Sequence, residues 1–124
     1  MLAATKKRYM FIIYELGCTG ESVRSVDIAK ALDVKKASIS NMLPSLINEN
    51  LVEKNSEGII TFTPQGAKYA GNLYLKYLTL YRFFSKKLGS SEKNARADAI
   101  VCLCSLSDES TESIADYILE TGGG

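Results

Sequence analysis

Residues 25–43 read Ser25-Val26-Asp27-Ile28-Ala29-Lys30-Ala31-Leu32-Asp33-Val34-Lys35-Lys36-Ala37-Ser38-Ile39-Ser40-Asn41-Met42-Leu43. Ile28, Ala29 and Leu32 are spaced to share one inward helix face, and Ser25 is placed to cap a helix over 26–32. Asp33-Val34-Lys35 leaves room only for a tight connection. A second helix over 36–48 then buries Ile39, Leu43, Leu46 and Ile47. Contacts among Ile28, Ala29, Leu32, Val34, Ile39 and Leu43 would hold the two helices at a fixed angle. That is the arrangement in which a second helix can enter a major groove.

Upstream, Leu2 to Leu16 predicts a first helix with Met10, Ile13, Tyr14 and Gly17 near one side, Gly17 as its stop, and a loop over 18–21. Downstream, Leu51–Glu53 and Ile59–Thr63 are short β-like runs around Lys54-Asn55-Ser56-Glu57-Gly58, the signature of a hairpin. Pro64 suits the first position of the next helix, with Thr63 as cap. That helix is expected to reach Leu88, about 37 Å at 1.5 Å per residue. Ala67, Ala70, Tyr74, Tyr77, Tyr81, Phe84 and Leu88 alternate spacings of three and four along it, and Leu73, Leu75, Leu78, Leu80 and Phe83 make further faces apolar. Such a helix needs more than one partner layer. Gly89-Ser90-Ser91 breaks the chain before a helix over 92–105 with Ala95, Ala99, Cys102 and Leu106 in its stripe. Ser107 caps a last helix whose apolar side is Ile114, Tyr117 and Ile118. The expected fold is therefore mostly α: a winged helix-turn-helix with a two-stranded wing over 1–63, followed by a helical dimerisation domain over 64–124.

The 124 residues are 46% hydrophobic and 23% charged, which excludes disorder for most of the chain. No apolar run approaches the roughly 18 residues of a membrane span. Lys6, Lys7 and Arg8 precede an apolar stretch that breaks at Glu15 without a small-residue cleavage site, so a helix is expected there and no signal peptide. Three cysteines, an odd and low number, argue against a disulfide framework and for a reducing cytoplasm. The chain has no histidine, which removes Ser-His and Cys-His nucleophiles and His-based zinc sites. Scattered carboxylates without a cleft signature give no enzyme reading.

Net charge is only +1, but its distribution is uneven. Residues 1–70 carry +2, residues 71–87 carry +4 with no acid, and residues 88–124 carry −5. A polyanion would meet the basic front. From Val34 to Asn48 there is no carboxylate, while Lys35, Lys36, Ser38, Ser40 and Asn41 crowd the start of the second helix. Lysine neutralises phosphates, and Asn41 can read adenine bidentately. Lys54 and Asn55 offer a wing contact. Pro44 removes the N–H that would bond Ser40, and is expected either to kink the helix and re-aim its start or to bend it around the core.

Tyr9 onward (Phe11-Ile12-Ile13-Tyr14-Glu15-Leu16), Asp27-Ile28-Ala29-Lys30-Ala31-Leu32, Thr63-Pro64-Gln65-Gly66 and Leu106-Ser107-Asp108-Glu109 together resemble the iron- and manganese-dependent repressors of the diphtheria-toxin-repressor type. The resemblance covers residues 6–120. It implies a winged-helix DNA-binding domain, a helical dimerisation domain and metal sites at their junction, with no SH3-like third domain expected. The ligand positions depart from that pattern. Where manganese-type members have Asp-Tyr-x-Glu, this chain has Arg8-Tyr9-Met10-Phe11; Met10 could match the methionine of iron-type members. The family's histidine and carboxylate on the long helix fall on Tyr77 and Tyr81. Its Glu-x-x-Glu-His or Cys-x-x-Glu-His group falls on Ile100, Leu103 and Cys104.

Met10 and Cys104 are soft donors that do not suit Mn²⁺ or Fe²⁺. Cys102 and Cys104, about 200° apart around a helix, cannot chelate one ion from one chain. No metal and no cofactor are expected. The expected partners are double-stranded DNA and a second copy of the chain, joined through Tyr74, Tyr77, Tyr81, Phe84 and Leu88, with no membrane partner. A winged-helix interaction subunit without DNA affinity, and a regulator sensing a small aromatic or apolar ligand, stand as alternatives. The effector is unknown.

Overall fold

The computed structural model describes residues 2–122. The chain forms α1 (Ala4–Gly17), α2 (Ser25–Leu32), α3 (Lys36–Asn48), β1 (Val52–Lys54), β2 (Ile60–Phe62), α4 (Pro64–Arg82), a π-turn over Phe83–Lys87, α5 (Glu92–Ser105) and α6 (Asp108–Glu120). This is the mostly α, winged helix-turn-helix architecture that the sequence predicts. No helix among the described residues is long and apolar enough to cross a membrane.

Two compact units are present, one over Arg8–Gly71 and the other comprising the chain up to Lys7 and from Asn72 onward. The expected boundary at 63/64 coincides with the start of α4, whereas the units divide inside that helix and inside α1. Residues 123 and 124 of the expected second domain lie outside the described residues.

In the Arg8–Gly71 unit, α2 ends in a Schellman motif: Val34 N–H bonds Ala29 O at 3.1 Å and Asp33 N–H bonds Lys30 O at 3.3 Å, with Asp33 left-handed at φ 53°. α3 ends the same way, Leu51 on Leu46 O and Asn50 on Ile47 O, with Asn50 at φ 59°. Asp and Asn tolerate this backbone better than most residues, so both helices stop sharply without glycine. Arg24, rather than Ser25, occupies the cap position of α2, and the Asp27 carboxylate reaches back to its N–H at 2.9 Å. Pro44 neither ends nor interrupts α3.

The wing pairs Val52 with Phe62, Glu53 with Thr61 and Lys54 with Ile60. Val23, between the expected loop over 18–21 and α2, adds an isolated bridge to Ile60. Thr63 Oγ1 accepts from Gly66 N–H at 3.0 Å and donates to Asn50 O at 2.7 Å, so the expected cap also ties α4 to the end of α3. Gly66 is required there, because a Cβ would lie 1.8 Å from the Leu51 carbonyl oxygen. Ile13, Ile28, Ile39, Leu43, Leu46, Val52 and Ile60 are buried in this unit.

In the other unit, α4 buries Leu73, Tyr77 and Leu80, a line rotated from the expected stripe: Tyr74, Tyr81 and Phe84 are half-buried and Leu88 is 60% exposed. The α-helix stops at Arg82 instead of Leu88 and loosens into the π-turn, where Leu88 N–H bonds Phe83 O and Ser90 N–H bonds Phe84 O. α5 buries Ala95, Ala99 and Leu103, leaving Cys102 half-buried and Leu106 exposed. α6 buries Thr111, Ala115 and Ile118; Tyr117, expected on its apolar side, is 67% exposed. Ser91 and Ser107 cap α5 and α6 through Asn94 N–H and Ser110 N–H.

Candidate nucleic-acid interface

α3 presents Lys35, at its cap, and Lys36, Ser38, Ser40 and Asn41 in its first turns, all exposed. Ile39 and Leu43, on the opposite side, are buried, so the amphipathic pattern itself turns the donors outward. The first turn holds no acid. A groove of about 240 Å³ runs beside this helix, lined by Ser25, Ile39, Ser40, Leu43, Pro44, Ile47 and Lys54. It brings the wing residue Lys54 alongside the face of α3. Pro44, also on the groove, supplies no N–H for the usual helical bond to Ser40 O.

The two expected wing residues differ in their roles. Lys54 is exposed at the end of β1. Asn55 is exposed too, but its side-chain oxygen accepts from Glu57 N–H and Ile59 N–H, both at 2.9 Å, and so closes the wing turn. Arg24, which the sequence did not single out, reaches the same turn: its guanidinium donates to Glu57 O. The signal available for it was weak, an arginine between an extended residue and a helix start.

Of the expected dimerisation residues, Tyr77 is committed within its own unit. Its ring stacks on Tyr81 at 5.9 Å and meets Tyr74 at 5.8 Å, and Arg96 donates to its hydroxyl at 3.1 Å while lying 5.7 Å above the ring. Among the described residues, the large apolar side chains exposed in this unit are Leu75, Leu88, Val101, Leu106, Ile114, Tyr117 and Leu119.

A helix-turn-helix with a two-stranded wing, continued by a helical unit, is the architecture of the metal-dependent repressors. The family described as "Domain of unknown function (DUF8462)" matches residues 1–69, and the chain belongs to it. It is 29% identical over 96 residues to a protein of Methanocaldococcus jannaschii described as an uncharacterized HTH-type transcriptional regulator, covering 77% of each chain. The structure of the manganese regulator SloR is similar at a TM-score of 0.76 and 29% identity, over 93% of this chain and 53% of that one. T. acidophilum IdeR is similar in fold at a TM-score of 0.78 and 24% identity, over 98% of this chain and 56% of that one. The chain thus spans about half the length of these two solved proteins.

The manganese named for SloR makes the donor set here a direct question. The positions matching the family's ligands hold an exposed Arg8, buried Met10, Phe11 and Leu103, half-buried Ile100 and Tyr81, Tyr77 whose hydroxyl accepts from Arg96, and buried Cys104. Among the described residues, no three His, Cys, Asp or Glu side chains group to hold an ion. These residues do not fit Mn²⁺ or Fe²⁺, which call for oxygen and imidazole donors.

Proposed function

We propose that this chain is a DNA-binding transcriptional regulator, not an enzyme, that works in the cytoplasm as a homodimer and without a divalent metal. The observation that carries the reading is the acid-free start of α3, where five donor side chains stand exposed on a helix fixed from behind by its buried face. Lys35, Lys36 and Lys54 would meet phosphates, and Ser38, Ser40 and Asn41 base edges or backbone. The family resemblance and the regulator relative support the same assignment.

The homodimer rests on exposed apolar surface. In the Arg8–Gly71 unit only Val26 and Ile47 are large, apolar and exposed among the described residues, whereas Leu75, Leu88, Val101, Ile114, Tyr117 and Leu119 in the other unit face water. Selection from a random pool of double-stranded DNA tests the reading. The expected product is an inverted repeat with half-sites about 34 Å apart, and no enrichment would overturn it. Sedimentation at micromolar protein should give about twice the 13.6 kDa chain mass.

A further inference from the structure

We infer that Arg24 is a positioning residue that locks the wing turn to the start of α2, holding Lys54 in the place from which it meets a DNA phosphate. The inference rests on the DNA-binding reading above. Arg24 is itself fixed: its N–H bonds the Asp27 carboxylate at 2.9 Å, and its carbonyl accepts from Asp27 and Ile28. The residue before it, Val23, accepts from Ile60 N–H at 2.8 Å, so the backbone entering α2 already runs beside β2. From this anchor the guanidinium crosses 33 residues of sequence to Glu57 O.

Four further bonds lie within the turn. Asn55 Oδ1 takes Glu57 N–H and Ile59 N–H, Asn55 O takes Gly58 N–H at 3.0 Å, and Ile59 O takes Asn55 N–H at 3.0 Å. Those bonds shape the turn but attach it to nothing else. Arg24 supplies the attachment at its tip. A Cβ built on Gly58, at φ +83°, would lie 3.6 Å from an Arg24 terminal nitrogen and 4.0 Å from Lys54 Cε, so both basic side chains flank one point of the wing. A wing held in advance binds without the cost of ordering it.

The competing explanation is that Arg24 meets a phosphate by itself, and two measurements separate them. The first is amide hydrogen exchange of the free chain. Arg24→Met should speed exchange at Glu57, Gly58 and Ile59 by about tenfold, with α1 and α4 unchanged, and Arg24→Lys, which keeps a donor, should recover part of the protection. Unchanged exchange at those three amides overturns the inference. The second is a double-mutant cycle on a selected DNA site. Arg24→Met should weaken binding about fivefold with Lys54 present and less than about twofold in a Lys54→Ala background. Additive losses, with the salt slope flattened by about one for each substitution, overturn the positioning role. If the chain selects no DNA at all, the functional reading fails while the exchange result still decides whether Arg24 locks the wing.

Discussion

The ammonium of Lys7 lies 2.8 Å from Oδ1 of Asp108 and donates to Leu106 O at 3.0 Å, joining the first turns of α1 to the elbow between α5 and α6. The two partners are unequally buried, with side chains 2% and 31% exposed. Their removal should therefore have unequal costs. Asp108→Asn strands a buried ammonium and should cost about 3 kcal/mol, the low end for breaking a buried pair because the carboxylate still meets water. Lys7→Met keeps the packed stem and leaves a partly exposed carboxylate and the carbonyl of exposed Leu106, both within reach of water, so its loss should be the smaller, about 1 kcal/mol. Urea midpoints at neutral pH measure both. Equal losses would show that burial of the ammonium does not govern the pair.

Two glycines of α4 should respond with opposite signs to the same substitution. Gly66→Ala drives a methyl to 1.8 Å from Leu51 O, backbone that cannot retreat without breaking the Thr63 bonds, and should cost at least about 3 kcal/mol. Gly71→Ala meets only the Tyr14 ring at 3.8 Å and should stabilise by about 0.5–1 kcal/mol through helix propensity. Thermal unfolding of the two variants checks the contrast.

On DNA, the two kinds of contact proposed for α3 have different signatures. Lys36→Ala should weaken binding to all sequences and flatten the salt slope by about one. Asn41→Ala should relax preference at a single base pair, at about 1–3 kcal/mol. If both variants bind a selected site as the parent does, α3 is not the reading helix.

Much of this architecture is written in local signals. The Thr63 cap, Pro64, the Gly58 turn and the caps at Ser91 and Ser107 each act within four residues, and the helix and hairpin order follows from them. Which face of each C-terminal helix is covered depends on packing between distant elements. Ile114 and Ile118 are the same residue type on one helix, yet only Ile118 is buried. Lys7 shows the same limit. It shares the helical stripe of Met10, Phe11 and Tyr14, but nothing near it in sequence announces that Asp108, 101 positions on, would receive its charge. The candidate interface was legible in α3 because exposure there follows from amphipathic spacing. It was less so in the wing, where the Asn55 side-chain oxygen closes the turn and Arg24 donates to Glu57 O across it.

The cysteines should react in an order set by burial. Cys18 is exposed, Cys102 half-buried and Cys104 buried. Burial, and then the nearby Asp98 carboxylate, push the Cys102 thiol above its ordinary range, which lowers its thiolate fraction at neutral pH. Timed alkylation of the native chain should modify Cys18 first, Cys102 well behind it and Cys104 only on unfolding. Early labelling at Cys104 would mean that α5 opens readily.

DNA binding by this chain should not depend on divalent metal. A ligand shifts a conformational equilibrium only by its differential affinity for the two states, so an ion can activate binding only where a site holds it. At the positions that match the repressors' ligands, Phe11 and Leu103 offer no donor atom, Arg8 carries the wrong charge, and the Tyr77 hydroxyl already accepts from Arg96. Met10 and Cys104 remain, a buried thioether and a buried thiol, and such soft donors do not compete with water for Mn²⁺ or Fe²⁺. Titration on a selected DNA site with excess chelator, and then with added Mn²⁺, Fe²⁺ or Zn²⁺, should change the affinity by less than about twofold, well below the roughly 5–150-fold of a coupled effector. A gain of about tenfold on adding metal, reversed by chelator, would mean that the ligands lie elsewhere or that Met10, Cys104 and carboxylates build a site, and would overturn the metal-independent reading.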